Sequence, residues 1–297
     1  MKIGVVGLGS MGYGIAASLL RSGHEVFGAD VNPDAIKRLR AEGGSNEDIA
    51  AAAPRLDALV VVVLNAAQAE DVLFGKEGLV GWLPADAVVM LCVTVAPDFA
   101  RSVAQKCAEN EVHFLDAPIS GGSVKAAQGK LSIMASGTPE AFTRARPALD
   151  AMAETVFELG DTAGAGSAMK AVNQMLAGVH IAAMAEAITF GMTQGIDPET
   201  FIKVIPRCAG TSWMLENRAP HVVSGDFTAH SAIDIWPKDL GIVLDAARAS
   251  KFAAPITAAA LQQFLAASGM GLGREDDAAV AKVYARNAGL TLPGTGN

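Results

Sequence analysis

The chain has 297 residues, 51% of them hydrophobic and 18% charged, which excludes disorder as a description of the whole and leaves room for about two domains. Lys and Arg number 23 against 31 Asp and Glu, a formal charge of −8 with no basic run, so nucleic acid and an anionic membrane surface are not expected as partners. Three cysteines (Cys92, Cys107, Cys208) form no CxxC pair, which argues against a disulfide framework or a metal site and for reduced thiols in a cytoplasmic protein.

In chain order, residues 2–7 form a short β-rich run, 11–21 a helix closed by Ser22-Gly23, and 25–30 a second strand. The apolar start looks like a secretory leader, but Gly4, Gly7, Gly9, Gly12 and Gly14 interrupt it, and it divides into a strand-like and a helix-like half. Asn32-Pro33 opens a helix with Asn at the cap and Pro at the first helical position. Residues 59–64 are apolar on both faces, as in a central parallel strand, and 87–95 repeat the pattern before Pro97 opens another helix. Further strands are expected at 112–116, 131–135 and 155–159. Strands alternating with helices of about 10–15 residues imply βαβ units and a doubly wound sheet.

The pattern changes at Gly160, after which no strand is expected. Residues 167–194 read as one helix, apolar nearly all round and therefore buried on every side. Its part at 175–192 is long enough to span a membrane, but it carries His180 and Glu186, and a buried helix explains it better. Shorter helices follow, punctuated by Pro198, Pro206, Pro220 and Pro237, and the last two, 255–268 and 275–287, are amphipathic. The expected architecture is α/β: a doubly wound domain over 1–162, then an all-helical domain over 163–297, joined through the long helix.

Three segments carry chemistry. Gly7-Leu8-Gly9-Ser10-Met11-Gly12 is GxGxxG, a weak signal by itself in a chain with 31 glycines but a strong one between an apolar strand and a helix. Gly7 makes the tight turn, Gly9 lets the backbone approach a pyrophosphate, and Gly12 lets helix and strand pack closely. The helix then offers free N–H groups to phosphate. Asp30 ends the second strand, where a carboxylate accepts from ribose hydroxyls and repels a 2′-phosphate. No Arg lies at 31–36, so NAD is expected over NADP. The second segment, Asp116-Ala117-Pro118-Ile119-Ser120-Gly121-Gly122, leaves the carboxyl end of a strand. Its Ser120 hydroxyl and unobstructed N–H groups at Gly121 and Gly122 suit a carboxylate, although a plain turn fits the spacing too. In the third, Lys170 lies early in an apolar helix beside Asn173 and Gln174, on a shared face. Burial favours the neutral amine, which can take a proton from a hydroxyl. From spacing alone, a lysine reaching out to solvent fits equally.

Together these segments resemble the β-hydroxyacid dehydrogenase family over nearly the whole chain. The motifs appear in order: the GxGxxG run, residues 116–122, residues 164–174, and Lys238-Asp239-Leu240. The resemblance implies a Rossmann domain and a helical domain, with Lys170 as catalytic acid/base and Asn173 and Gln174 in the substrate pocket. It implies substrate carboxylate binding at Ser120, Gly121 and Gly122. Leu64 and Asn65 would line the cofactor, Thr94 would lie against the nicotinamide ribose, and Lys238 would approach the cofactor. Family members commonly carry an aromatic residue seven positions before the motif lysine, where this chain has Ser231. Losing the ring enlarges and polarises the pocket, which favours a polyhydroxylated acid. Residues 176–183, 212–218 and 231–235 resemble the L-threonate branch. The implied reaction is NAD-dependent oxidation of L-threonate at C2 to the 2-oxo acid, 2-dehydro-L-erythronate. Tartronate semialdehyde reduction and 3-hydroxyisobutyrate oxidation are the enzyme alternatives. A non-catalytic NAD(H) sensor is the alternative from another class, and it would not need Lys170. Gln174 departs from the Asn of some relatives. His180, Trp213, Asn217 and Trp236 read as packed residues or residues at the substrate's edge. The apolar long helix implies a homodimer or homotetramer.

Overall fold

The continuous apolar runs become a parallel sheet covered on both faces. The computed structural model describes residues 1–294. Lys2–Val6 (β1), Glu25–Ala29 (β2), Ala58–Val61 (β3), Val88–Leu91 (β4) and His113–Asp116 (β5) pair in the order β2-β1-β3-β4-β5, every pair parallel. Side chains alternate between the faces. Ile3, Val5, Val60, Val88 and Met90 pack with Ile15, Ala16 and Leu19 of Gly12–Arg21 (α1). Leu59, Val61, Val89 and Leu91 face the other core, with residues of Ile49–Ala52 (α3), Ala66–Phe74 (α4) and Pro97–Ala108 (α5). Between α1 and α3, Pro33–Ala41 (α2) starts as expected: Asn32 Oδ1 accepts from the Asp34 N–H at 3.0 Å.

The strands expected at 131–135 and 155–159 form, but not in this sheet. Ile119–Ser120 (β6), Leu131–Ala135 (β7) and Ala153–Glu158 (β8) make a separate three-stranded sheet, β6-β7 antiparallel and β7-β8 parallel. The cause is the reversal after β5: residues 117–120 turn back, and β6 pairs Ile119 with Ile133 and Ser120 with Ser132. β8 is too polar and exposed for a sheet covered on both faces. Gly122–Gln128 (α6) and Pro139–Met152 (α7) complete this part of the chain.

The chain separates into two compact units, Met1–Lys170 and Ala171–Asn297. The division falls inside the helix Ala165–Thr193 (α8), beyond the glycine-rich segment, because the first turn of α8 is bonded to the first unit. Among the described residues no strand follows β8. The second unit holds Pro198–Val204 (α9), Trp213–Ser224 (α10), Ile235–Ala249 (α11), Pro255–Ala267 (α12) and Ala281–Asn287 (α13). By length and composition α8 could cross a membrane, but Ile181, Met184, Ala185 and Ile188 sit in the core of this unit. Contrary to expectation, α8 is not buried on every side: Met169, Val172, Leu176 and Phe190 are exposed. Gly178 is required by close packing, since a Cβ there would come within 2.9 Å of both Leu240 and Trp236 on α11.

The helix expected over 275–287 is instead a 3-10 turn, Asp277–Val280, followed by α13. Two buried carboxylates impose this. Asp276 caps the turn through the Ala278 N–H and also accepts from the His230 N–H and from the His221 ring at 2.8 Å. Asp277 accepts from Arg218 and from the Trp236 indole at 3.0 Å. Burial works to raise the Asp276 carboxyl, but the His221 and backbone hydrogen bonds outweigh it and bring the group down to about 2. A group depressed from an ordinary value of 3.8 stabilises the fold above that pH and ceases to do so as pH falls through 2. Asp276→Asn should therefore cost about 2 kcal/mol at neutral pH and flatten the loss of stability between pH ~4 and ~2. Urea unfolding across that range measures both effects.

Candidate active site

The turn after β1 lies where the sheet order reverses, between β1 and β3, and ligands of open α/β sheets bind there. Gly7 has φ +91°, and a Cβ on it would collide with the Val62 carbonyl, while one on Gly12 would collide with the Gly7 carbonyl. Gly9 differs, since a Cβ there would meet no atom within 4 Å. Gly9 and Ser10 are exposed, and α1 starts after Met11 with no side-chain cap on its N–H groups. Open backbone and uncapped donors at a helix start fit the pyrophosphate of a dinucleotide. Leu8 is buried, and its N–H donates to Asp30 Oδ2 at 2.5 Å. Asp30 Oδ1 accepts from the Asn32 N–H at 2.7 Å. Each carboxylate oxygen keeps a further acceptor position, so Asp30 can hold ribose hydroxyls while pinning its own turn.

After β3, Asn65 caps α4 by accepting the Gln68 N–H at 2.9 Å, and Gln68 Oε1 accepts the Leu64 N–H at 2.9 Å. Leu64 is 66% exposed at the same end of the sheet. Thr94 is half-buried just beyond β4.

The third cluster is built on Asp116, at the end of β5 and completely buried. Its carboxylate accepts from the Gly164 N–H (3.0 Å), the Ser167 N–H (2.8 Å), the Ser167 hydroxyl (2.7 Å) and the Ser136 hydroxyl (3.4 Å). Burial raises this carboxyl above the usual carboxylate range despite the bonds from Ser167, Gly164 and Ser136. The start of α8 is thereby tied to the end of β5. One turn on, Lys170 is 8% exposed and its Nζ donates to the Ile119 carbonyl at 2.9 Å. Ile119 precedes Ser120-Gly121-Gly122, so the amine and this turn share one short stretch of chain. Gly121 (φ +135°) and Gly122 (φ +75°) hold the left-handed backbone that glycine tolerates, and Gly122 faces open space.

In the second unit, Asn173 Nδ2 donates to Gln174 Oε1 at 2.9 Å, and Gln174 Nε2 donates to Asp239. Asp239 also pairs with Lys238 at 2.6 Å. Trp236 is buried against Asp277 and stacks on Phe264, so it is a core residue. Trp213 is exposed, His180 is half-buried, and Asn217 accepts from Arg218. Sequence reasoning quoted Asp116 and Asp239 within motifs without giving either a task. The available signal was a carboxylate among apolar neighbours, costly to bury without donors around it.

Comparison with known proteins fits this geometry. Residues 2–160 match the model of the NAD binding domain of 6-phosphogluconate dehydrogenase. Residues 164–284 match that described as NAD-binding of NADP-dependent 3-hydroxyisobutyrate dehydrogenase. The chain is 47% identical to the L-threonate dehydrogenase of Escherichia coli K12, over 98% of this chain and 96% of that one. It is 46% identical to the L-threonate dehydrogenase of Cupriavidus necator, over 99% and 98%. The chain belongs to the β-hydroxyacid dehydrogenase family. A solved structure described as 3-hydroxyisobutyrate dehydrogenase from Salmonella typhimurium superposes with a TM-score of 0.91 at 47% identity, covering 95% of this chain and 99% of that one. The protein is an NAD-dependent hydroxyacid dehydrogenase acting on a small molecule.

Asp116→Ala would strand two amides and two hydroxyls away from water. It is expected to cost about 3 kcal/mol in urea unfolding, with Asp116→Asn, which keeps one acceptor oxygen, costing about half as much.

Proposed function

We propose that this dehydrogenase oxidises L-threonate at C2 to 2-dehydro-L-erythronate, with Lys170 as the acid/base. The observation that carries the chemistry is the nearly buried Lys170 amine held on the Ile119 carbonyl, one residue before the turn that takes the substrate carboxylate. The Ser120 hydroxyl and the N–H groups of Gly121 and Gly122 fix that carboxylate. As the neutral amine, Lys170 takes the proton of the C2 hydroxyl, and the ammonium returns it in the reverse direction. Bound NAD supplies the acceptor for the hydride leaving C2. Gly7, Gly9, Ser10, Met11 and Gly12 cradle its phosphates, Leu8 braces Asp30, and Asp30 selects the free ribose hydroxyls. Leu64, Asn65, Thr94 and Lys238 flank the rest of the cofactor, and Asn173 and Gln174 belong to the substrate pocket. We assign 1–162 as the dinucleotide-binding domain and 163–297 as the helical domain for substrate and oligomerisation.

The four-carbon sugar acid is favoured by the two L-threonate dehydrogenases at 46% and 47% identity. Ser231 supports it, being half-buried with its carbonyl engaged by the Asp277 N–H at 2.8 Å and its small polar side chain in place of a ring. The description of the Salmonella structure supports a second reading, 3-hydroxyisobutyrate. We place the enzyme in the cytoplasm, in keeping with three free cysteines, two of them buried with their thiols pushed up to about 12 by desolvation. The exposed apolar residues of α8, Phe190 at 64% among them, support a homodimer or homotetramer. Light scattering at micromolar concentration should give a multiple of the chain mass, and a monomer would contradict the assembly.

The function is tested by NADH formation at 340 nm with L-threonate, D-threonate, the erythronates, D-glycerate and 3-hydroxyisobutyrate, with NADP in parallel. L-Threonate with NAD should be preferred. Lys170→Ala should lower kcat by at least about 10²-fold while leaving NAD affinity within a few-fold. A variant that kept most of its kcat would remove Lys170 from the mechanism.

A further inference from the structure

The second unit contains a polar chain of fixed direction running from α11 to α8. Asp239 on α11 is 2% exposed, and Gln174 on α8 is also buried. A carboxylate only accepts hydrogen bonds, so the Gln174 side chain must turn its NH2 toward Asp239. Its carbonyl oxygen then faces Asn173 and accepts from Asn173 Nδ2 at 2.9 Å. The Asn173 amide is therefore oriented too, its NH2 committed to Gln174 and its carbonyl oxygen directed away. Lys238, 2.6 Å from the other Asp239 oxygen, holds the first member in place. The orientation follows from the acceptor-only chemistry of Asp239, not from a choice between two look-alike amide atoms.

We infer that Asp239 is a positioning residue that, through Gln174, presents the carbonyl oxygen of Asn173 to substrate as a hydrogen-bond acceptor, and so selects a hydroxy acid with a second hydroxyl. This rests on the proposed function. An acceptor there repels a carboxylate and leaves that group to Ser120, Gly121 and Gly122. It takes a hydroxyl, which can donate. Asn173 lies one helical turn beyond Lys170 on α8, an axial rise of about 4.5 Å, so the hydroxyl it receives is one next to the reacting carbon. Gln174 suits the relay because its extra methylene, absent from Asn, lets it bridge to α11.

The test is the ratio of kcat/KM for L-threonate to that for 2-hydroxybutanoate of the same C2 configuration, which lacks both further hydroxyls. It is measured with NAD in wild type, Asp239→Asn and Gln174→Met. Using a ratio cancels any change in cofactor handling common to both substrates. Asp239→Asn can offer Gln174 a donor and reverse the relay, and Gln174→Met gives Asn173 no acceptor. Both variants should bind NADH, as read by its fluorescence, and lose the preference by about tenfold or more, chiefly through L-threonate. A merely structural role would depress both substrates in parallel and leave the ratio alone. If folded variants keep the ratio within twofold, the role of Asp239 is overturned. If either variant fails to fold, the other decides. A wild type that oxidises no hydroxy acid overturns the proposed function, and the inference with it.

Discussion

The bond between Asp116 and the first turn of α8 is the constraint on which the candidate site depends. A buried carboxylate needs donors on every side, and the start of a helix has N–H groups that need acceptors. Each meets the other's requirement at Gly164 and Ser167. Partial positive charge at the start of a long helix adds to the match. The first turn of α8 is thus fixed to the end of β5, and with it the place where Lys170 leaves the helix. The chain that carries Asp116 then turns within three residues to give Ile119, whose carbonyl takes the lysine amine. Anchor, amine rest and the Ser120-Gly121-Gly122 turn all come from residues 116–122.

Much of this was legible in the sequence because the signals are local. The parallel strands announce themselves as apolar runs, and Asn32-Pro33 and Pro97 mark helix starts through the chemistry of one or two residues. The GxGxxG run is readable because each glycine answers a steric demand of its own turn. What stayed hidden depends on partners distant in sequence. Nothing in Leu131–Ala135 or Ala153–Glu158 tells a strand of the main sheet from one of a second sheet, because that choice is made by the reversal at Ile119–Ser120. The helical periodicity of 275–287 is real, yet Asp276 is drawn into bonds with His221 and His230, and the first turn tightens. The tasks of Asp116 and Asp239 were unreadable for the same reason: the donors to Asp116 lie 20 to 51 residues away, and the Gln174 amide lies 65 residues from Asp239.

Two buried polar clusters, that of Asp116 and that of Asp239, work in contrasting ways. In the first, one carboxylate draws several donors to itself and fixes backbone. In the second, Gln174 and Asn173 pass an orientation from side chain to side chain, and backbone is not involved. Mutational damage should differ accordingly, falling on stability in the first case and on discrimination in the second.

The two bonds made by Asp30 bear on redesign of cofactor choice. A carboxylate that only faced a ribose could be exchanged for a small or basic residue without other cost. This one clasps the Leu8 and Asn32 amides, joining the GxGxxG turn to the loop after β2. Any replacement chosen to admit a phosphorylated ribose would loosen both loops unless new acceptors were built for those amides. With the role proposed for Asp30 in coenzyme choice, preference and loop rigidity are inherited together, and they have to be re-engineered together.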